Sequence, residues 1–88
     1  MSDIALEFRG EKIDPDGSTA HHLAIVWSPR KEEGAQGWSC TVGVYSLIPQ
    51  AEKIIGETAA QALRLAKLFV FDLLNRHGVT IEPADREQ

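Results

Sequence analysis

Eighty-eight residues, 43% of them hydrophobic and 25% charged, suit one globular domain with a single thin core and exclude a disordered chain or a fibrous repeat. Thirteen acidic side chains outnumber nine basic ones, for a formal net charge of −4. The cations are scattered, so nucleic acid and anionic membrane surfaces, which both need clustered cations, are not expected partners.

The first predicted strand contains Ile4, Leu6 and Phe8, which alternate with Ala5, Glu7 and Arg9 at the period of a half-buried strand. Ile13 falls out of step, and Gly10 between them offers a place for a bulge. Asp14-Pro15-Asp16-Gly17-Ser18 then reads as a turn, with proline fixing φ and glycine tolerating positive φ. A second strand runs from Thr19 to Trp27, and Leu23, Ile25 and Trp27 share the row read as core. Pro29 stops ladder donation there, and Ser28 to Gly37 reads as a solvated hairpin loop. Trp38, Cys40, Val42 and Val44 recur at period two in a third strand that ends near Pro49. Lys53-Ile54-Ile55 is a candidate fourth strand.

A helix follows. Thr58 and Gln61 fit a capping box, in which the hydroxyl accepts from the amide of residue 61 and Gln61 returns a bond to the amide of residue 58. Good helix formers continue to His77, and Gly78 can take the left-handed cap. Val79-Thr80-Ile81 packs briefly afterwards. The expected architecture is therefore α+β, a single domain over residues 1–88. Its antiparallel sheet has three or four strands, in the order β-β-β-(β)-α, and one C-terminal helix covers it. Its ordered core spans about residues 3–81, and the tail 82–88 frays.

At 100° per residue, Ala59, Ala62, Leu63, Ala66, Phe69, Val70, Leu73 and Leu74 share the face that covers the sheet. Leu65, Leu68 and Phe71 lie outside it among polar residues. Isolated surface leucines need no explanation. A second buried contact, most simply a two-fold homodimer through Leu65, Leu68 and Phe71, is the alternative.

Chemistry-bearing residues are few. His21 and His22 are adjacent on a strand, so they point to opposite faces and cannot easily share a metal. His77 suits the helix C-terminus. Cys40 sits in an apolar row and reads as core; as the only cysteine it gives no sign of a disulfide-rich compartment. Asp14, Asp16 and Ser18 resemble the start of a calcium loop, but Ile25 stands where the loop's last ligand should be. Glu32-Glu33 and Asp14/Asp16 are carboxylate pairs in exposed turns, poorly placed for general acid work. With no catalytic, cofactor or metal motif, the reading leans away from an enzyme. Trp27, Trp38 and Tyr45 are the side chains that would line a small-molecule cleft. No basic leader followed by an apolar stretch is read, and Lys67 and Asp72 interrupt the longest apolar run, so a cytoplasmic location without a membrane span is expected.

Two resemblances can be read from the helix junction. Gly56-Glu57-Thr58-Ala59-Ala60-Gln61-Ala62-Leu63, following a series of strands, resembles HicB-type antitoxins, which carry Gly-x-Thr-x-x-Glu-Ala-Leu there; Gln61 replaces the usual Glu. Ser46-Leu47-Ile48-Pro49-Gln50 stands where those antitoxins have a Pro-Asp-Leu-Pro-Gly-type segment. Trp38-Ser39-Cys40, followed by the Gly-x-x-x-x-Gln-Ala-Leu helix start, resembles a family of short bacterial proteins of unknown function over most of residues 4–74. These resemblances imply the strand–strand–strand–helix order and supply no catalytic residue. The expected function is a non-enzymatic protein-interaction module, without cofactors, whose partner is itself or another protein. An antitoxin-like partner of a basic toxin and a small-molecule-binding domain are the alternatives, and a double-stranded RNA binder is the weakest reading.

Overall fold

Among the described residues six strands and one helix fold in the order β1 (Ile4–Ile13), β2 (Thr19–Trp27), β3 (Arg30–Lys31), β4 (Trp38–Gly43), β5 (Glu52–Gly56), α1 (Ala59–Arg76) and β6 (Thr80–Ile81). The structure, a computed structural model, describes residues 4–32 and 37–81. Residue 3, residues 33–36 of the loop and the tail 82–88, on which some of the expectations fall, lie outside the described residues. The expected α+β layout holds, with six strands in place of three or four. All strand pairs are antiparallel.

The strands are arranged β5, β4, β2, β1, β6 across the sheet, and β3 lies in line with β2 on the same edge of β4. The loop expected over Ser28–Gly37 therefore contains a strand. Val26 pairs with Val42 and Arg30 with Ser39, so three residues on the β2–β3 side face two on β4. That is a bulge, and Pro29 sits in it, where a missing amide breaks no ladder bond.

β1 runs unbroken past Gly10, and its register shift lies at its start, between Ile4 and Leu6. Gly10 makes no bulge; it makes room. A Cβ there would come within 2.5 Å of the Val79 side chain, and Gly10 pairs directly with Ile81 of β6. The β1–β2 turn closes as read: the Gly17 amide donates to the Asp14 carbonyl at 2.8 Å and Gly17 has φ +91. The Ser18 hydroxyl and amide both donate to Asp16 Oδ1, which lowers the Asp16 pKa.

Helix α1 starts where its cap residues predict. The Gln61 amide donates to Thr58 Oγ1 at 3.0 Å. Gln61 Oε1, however, accepts from the Glu57 amide and not from that of Thr58, one residue earlier than a standard box. At the other end Gly78 has φ +72. Its amide donates to Asn75 O and the Val79 amide to Leu74 O, the paired C-terminal closure that sets Val79 beside Leu74.

The core lies between α1 and one face of the sheet. Ala62, Ala66, Val70 and Leu74 form the buried line of the helix. They meet Ala24 and Val26 of β2 and Cys40 and Val42 of β4, with Val44 just beyond; all are buried. Phe8 packs edge-on against Phe71, ring centroids 5.0 Å apart, which extends the core to β1.

Candidate functional site

Register decides which side chains share a face, because residues directly opposite in an antiparallel pair point the same way. Phe8 pairs with Ala24 and Leu6 with Val26, all on the helix side. The row Leu23, Ile25 and Trp27 therefore lies on the other side, which no element among the described residues covers. This corrects the reading of those three as core: Leu23 is 43% exposed, while Ile25 and Trp27 are half-buried.

The same logic assigns Ile4, Ile13, Tyr45 and Ile55 to the open face. Ile4 pairs with Trp27, Ile13 with Thr19, and Ile55 with Ser39. A Cβ on Gly43 would meet both the Tyr45 ring at 3.0 Å and the Trp27 indole at 3.1 Å, so both aromatics lie over this glycine. Five of the seven exposed large hydrophobics among the described residues, Ile4, Ile13, Leu23, Tyr45 and Ile55, are on this face; the other two are Leu65 and Leu68 of the helix. The open sheet face is the candidate site.

Of the expected cleft residues, Trp27 and Tyr45 come together and Trp38 does not. Trp38 packs into the core on the helix side, where the Lys31 ammonium lies 5.7 Å from its ring. The two indoles do not face each other across the hairpin, because the bulge puts Lys31, not Trp27, opposite Trp38.

Of the expected interface residues, Leu65 and Leu68 are exposed. Phe71 is half-buried against Phe8, and the Lys67 ammonium lies 5.9 Å from the centroid of the Phe71 ring. Successive steps of three residues carry Leu65, Leu68 and Phe71 through about 120° of the helix, and Phe71, at one end of that arc, is turned to Phe8.

Cys40 has a structural task. Its thiol donates to the Trp27 carbonyl at 3.0 Å, a group that sits at the bulge where ladder pairing lapses. Burial raises the Cys40 pKa, the opposite of what a nucleophilic thiolate needs. The Trp-x-Cys sequence thus supports the break in β2–β3.

Two notches lie beside the open-face apolar residues. One, of about 410 Å³, is lined by Arg9, Gly10, His21, His22 and Leu23; here His21 Nδ1 is 3.7 Å from Glu11. The other, of about 330 Å³, is lined by residues of β3, β4 and β5, including Arg30, Thr41 and Lys53. In it Ser39 donates to Glu32 Oε2 at 2.7 Å and Lys53 Nζ lies 3.4 Å from Oε1. The Ser39 bond, then the Lys53 and Arg30 charges, hold Glu32 below the ordinary carboxylate pKa. Glu32 falls in the expected solvated loop, but the short strand β3, hidden behind a proline, brings it back onto the sheet. His22 faces the helix side, and its Nδ1 is 2.7 Å from Ser46 Oγ. Among the described residues no three His, Cys, Asp or Glu side chains cluster to hold a metal, and no helix is long and apolar enough to cross a membrane.

No protein-family model, curated protein or solved structure matches this chain.

Proposed function

We propose that this chain is a non-enzymatic protein-interaction domain and that the open face of its sheet is the binding surface. One observation carries the reading: five of the seven exposed large hydrophobics lie on that face, beside the half-exposed Trp27. Apolar surface gathered on one side and rimmed by charge is the signature of a docking surface, and aromatic side chains at its centre are the usual anchors of binding energy. The buried Cys40, bonded to a carbonyl, suits a reducing compartment, and we place the domain in the cytoplasm. An antitoxin-like role is the variant favoured by the net charge of −4, which would steer a basic toxin toward it.

The test is site-specific photo-crosslinking in the native cell. A photoreactive residue replacing Tyr45 on the open face is expected to give a discrete protein adduct. The same residue replacing Asn75, on the solvent side of the helix, is expected to give none. Adducts from position 75 but not from 45 would refute the assignment.

A further inference from the structure

Ile4, Trp27, Ile25, Leu23 and Tyr45 form a continuous apolar stripe that crosses the open face diagonally, from the start of β1 over β2 to the end of β4. Charges border it unequally. On the β1 side stand Glu7, Arg9 and Glu11, which pair with Ile25, Leu23 and His21. On the other side stand Arg30, Glu32 and Lys53, gathered around Ser39 and Thr41. Two acids and one base face two bases and one acid across the stripe.

We propose that a second copy of this chain covers the open face, with a two-fold axis running along the stripe. The inference rests on the reading of this face as a protein-binding surface and names its occupant. A two-fold interface must be self-complementary, each patch meeting its own image. Rotation about an axis along the stripe lays the apolar residues of one copy on those of the other. It also exchanges the two borders, so the acidic border of each copy meets the basic border of its partner. A partner of one net sign would match only one of the borders.

Ile4, Leu23 and Tyr45 are 39%, 43% and 60% exposed, so the stripe has apolar surface to lose in such a contact. The two sheets would pack face to face, and Trp27 and Tyr45, already held against Gly43, would enter the contact with little ordering left to lose.

The full chain, followed by sedimentation equilibrium, tests this. The wild type is expected to be a dimer that weakens as salt rises, because its border charges are solvent-accessible. Leu23→Glu is expected to weaken it at least tenfold. Glu7→Lys with Glu11→Lys makes both borders basic, and Arg30→Glu with Lys53→Glu makes both acidic. Each double variant alone is expected to be monomeric, while an equimolar mixture is expected to form a one-to-one heterodimer. That rescue also shows that the variants are folded.

A wild type that stays monomeric at high concentration would overturn the proposal. So would a dimer that tolerates Leu23→Glu but dissociates with Leu68→Glu, which would put the contact on the helix. The adduct from position 45 separates the two levels of inference. Twice the chain mass supports the second copy; another mass refutes it and leaves the protein-binding face intact; no adduct refutes both.

Discussion

The two faces of the sheet come from the same strands and the same alternation, yet they differ in nearly every physical respect. On the helix side Ala24, Val26, Cys40 and Val42 are fully enclosed. On the other side the larger Leu23, Ile25 and Trp27 are left partly in contact with water. Size therefore does not decide which row becomes core; fit to the covering element does. The helix presents Ala62 and Ala66 to the sheet, and it comes so close that a Cβ on Gly56 would lie 2.5 Å from the Ala62 amide nitrogen. A helix at that distance leaves room for alanine and valine beneath it. The bulky row takes the side where no element among the described residues presses on it.

The largest expected effect contrasts one substitution on the two faces. Leu74→Ala should cost about 2–5 kcal/mol, a large part of the about 5–15 kcal/mol that holds a small domain together. Leu23→Ala, measured on the monomer, should change stability by no more than about 0.5 kcal/mol. Equal losses in urea titrations would abolish the distinction between the faces.

Cys40 sharpens it. Cys40→Ala removes the donor to the Trp27 carbonyl and should cost about 1–3 kcal/mol. The native thiol should also react with thiol reagents far more slowly than in denaturant. Its folded pKa is raised above 9.0, so the unfolded chain ionises first. This contribution to stability is whole below pH 9.0 and is lost as pH rises through the folded value. A stability profile flat up to the pH at which lysines titrate would argue that Cys40 is not enclosed.

Thr58→Ala acts on the covering element alone and should cost about 1 kcal/mol through its lost cap; an unchanged melting temperature would mean that the helix is held only by packing. The smallest effect belongs to the open face. Glu32 should titrate below its ordinary 4.5 by NMR, and Ser39→Ala should return it toward that value. Because its folded pKa is depressed, its small stabilising effect is present above pH 4.5 and fades as pH falls through the folded value.

Much of the architecture could be read from residue order. The turn at Asp14–Ser18, the strand at Trp38–Val42 and the helix with its Thr58 and Gly78 boundaries carry strong local signals, the candidate strand at Lys53-Ile54-Ile55 only a weak one, and the structure has each of them. What could not be read depends on contacts distant in sequence. Both rows of β2 are apolar, so periodicity alone cannot say which one meets the helix. Arg30–Lys31 is too short to show a period, and its register comes from a bulge that needs Cys40 on another strand. Gly10 looks like a bulge until β6, seventy residues later, occupies the space above it. The candidate site suffered most from this. Residue order alone cannot separate Trp38 from Trp27 and Tyr45, because a one-residue offset in pairing is invisible without the partner strand.

The path of the helix has a consequence for how the molecule comes apart. α1 leaves from β5 at one edge of the sheet and delivers the chain to β6 at the other, where Ile81 pairs with Gly10. It is a strap with an anchor at each margin. Neither the β1–β2 hairpin nor the β4–β5 pair can detach while both anchors hold, and releasing either one uncovers the whole interior. The slowest-exchanging amides of both hairpins should therefore share one opening free energy, as expected for a chain that melts as a single cooperative unit.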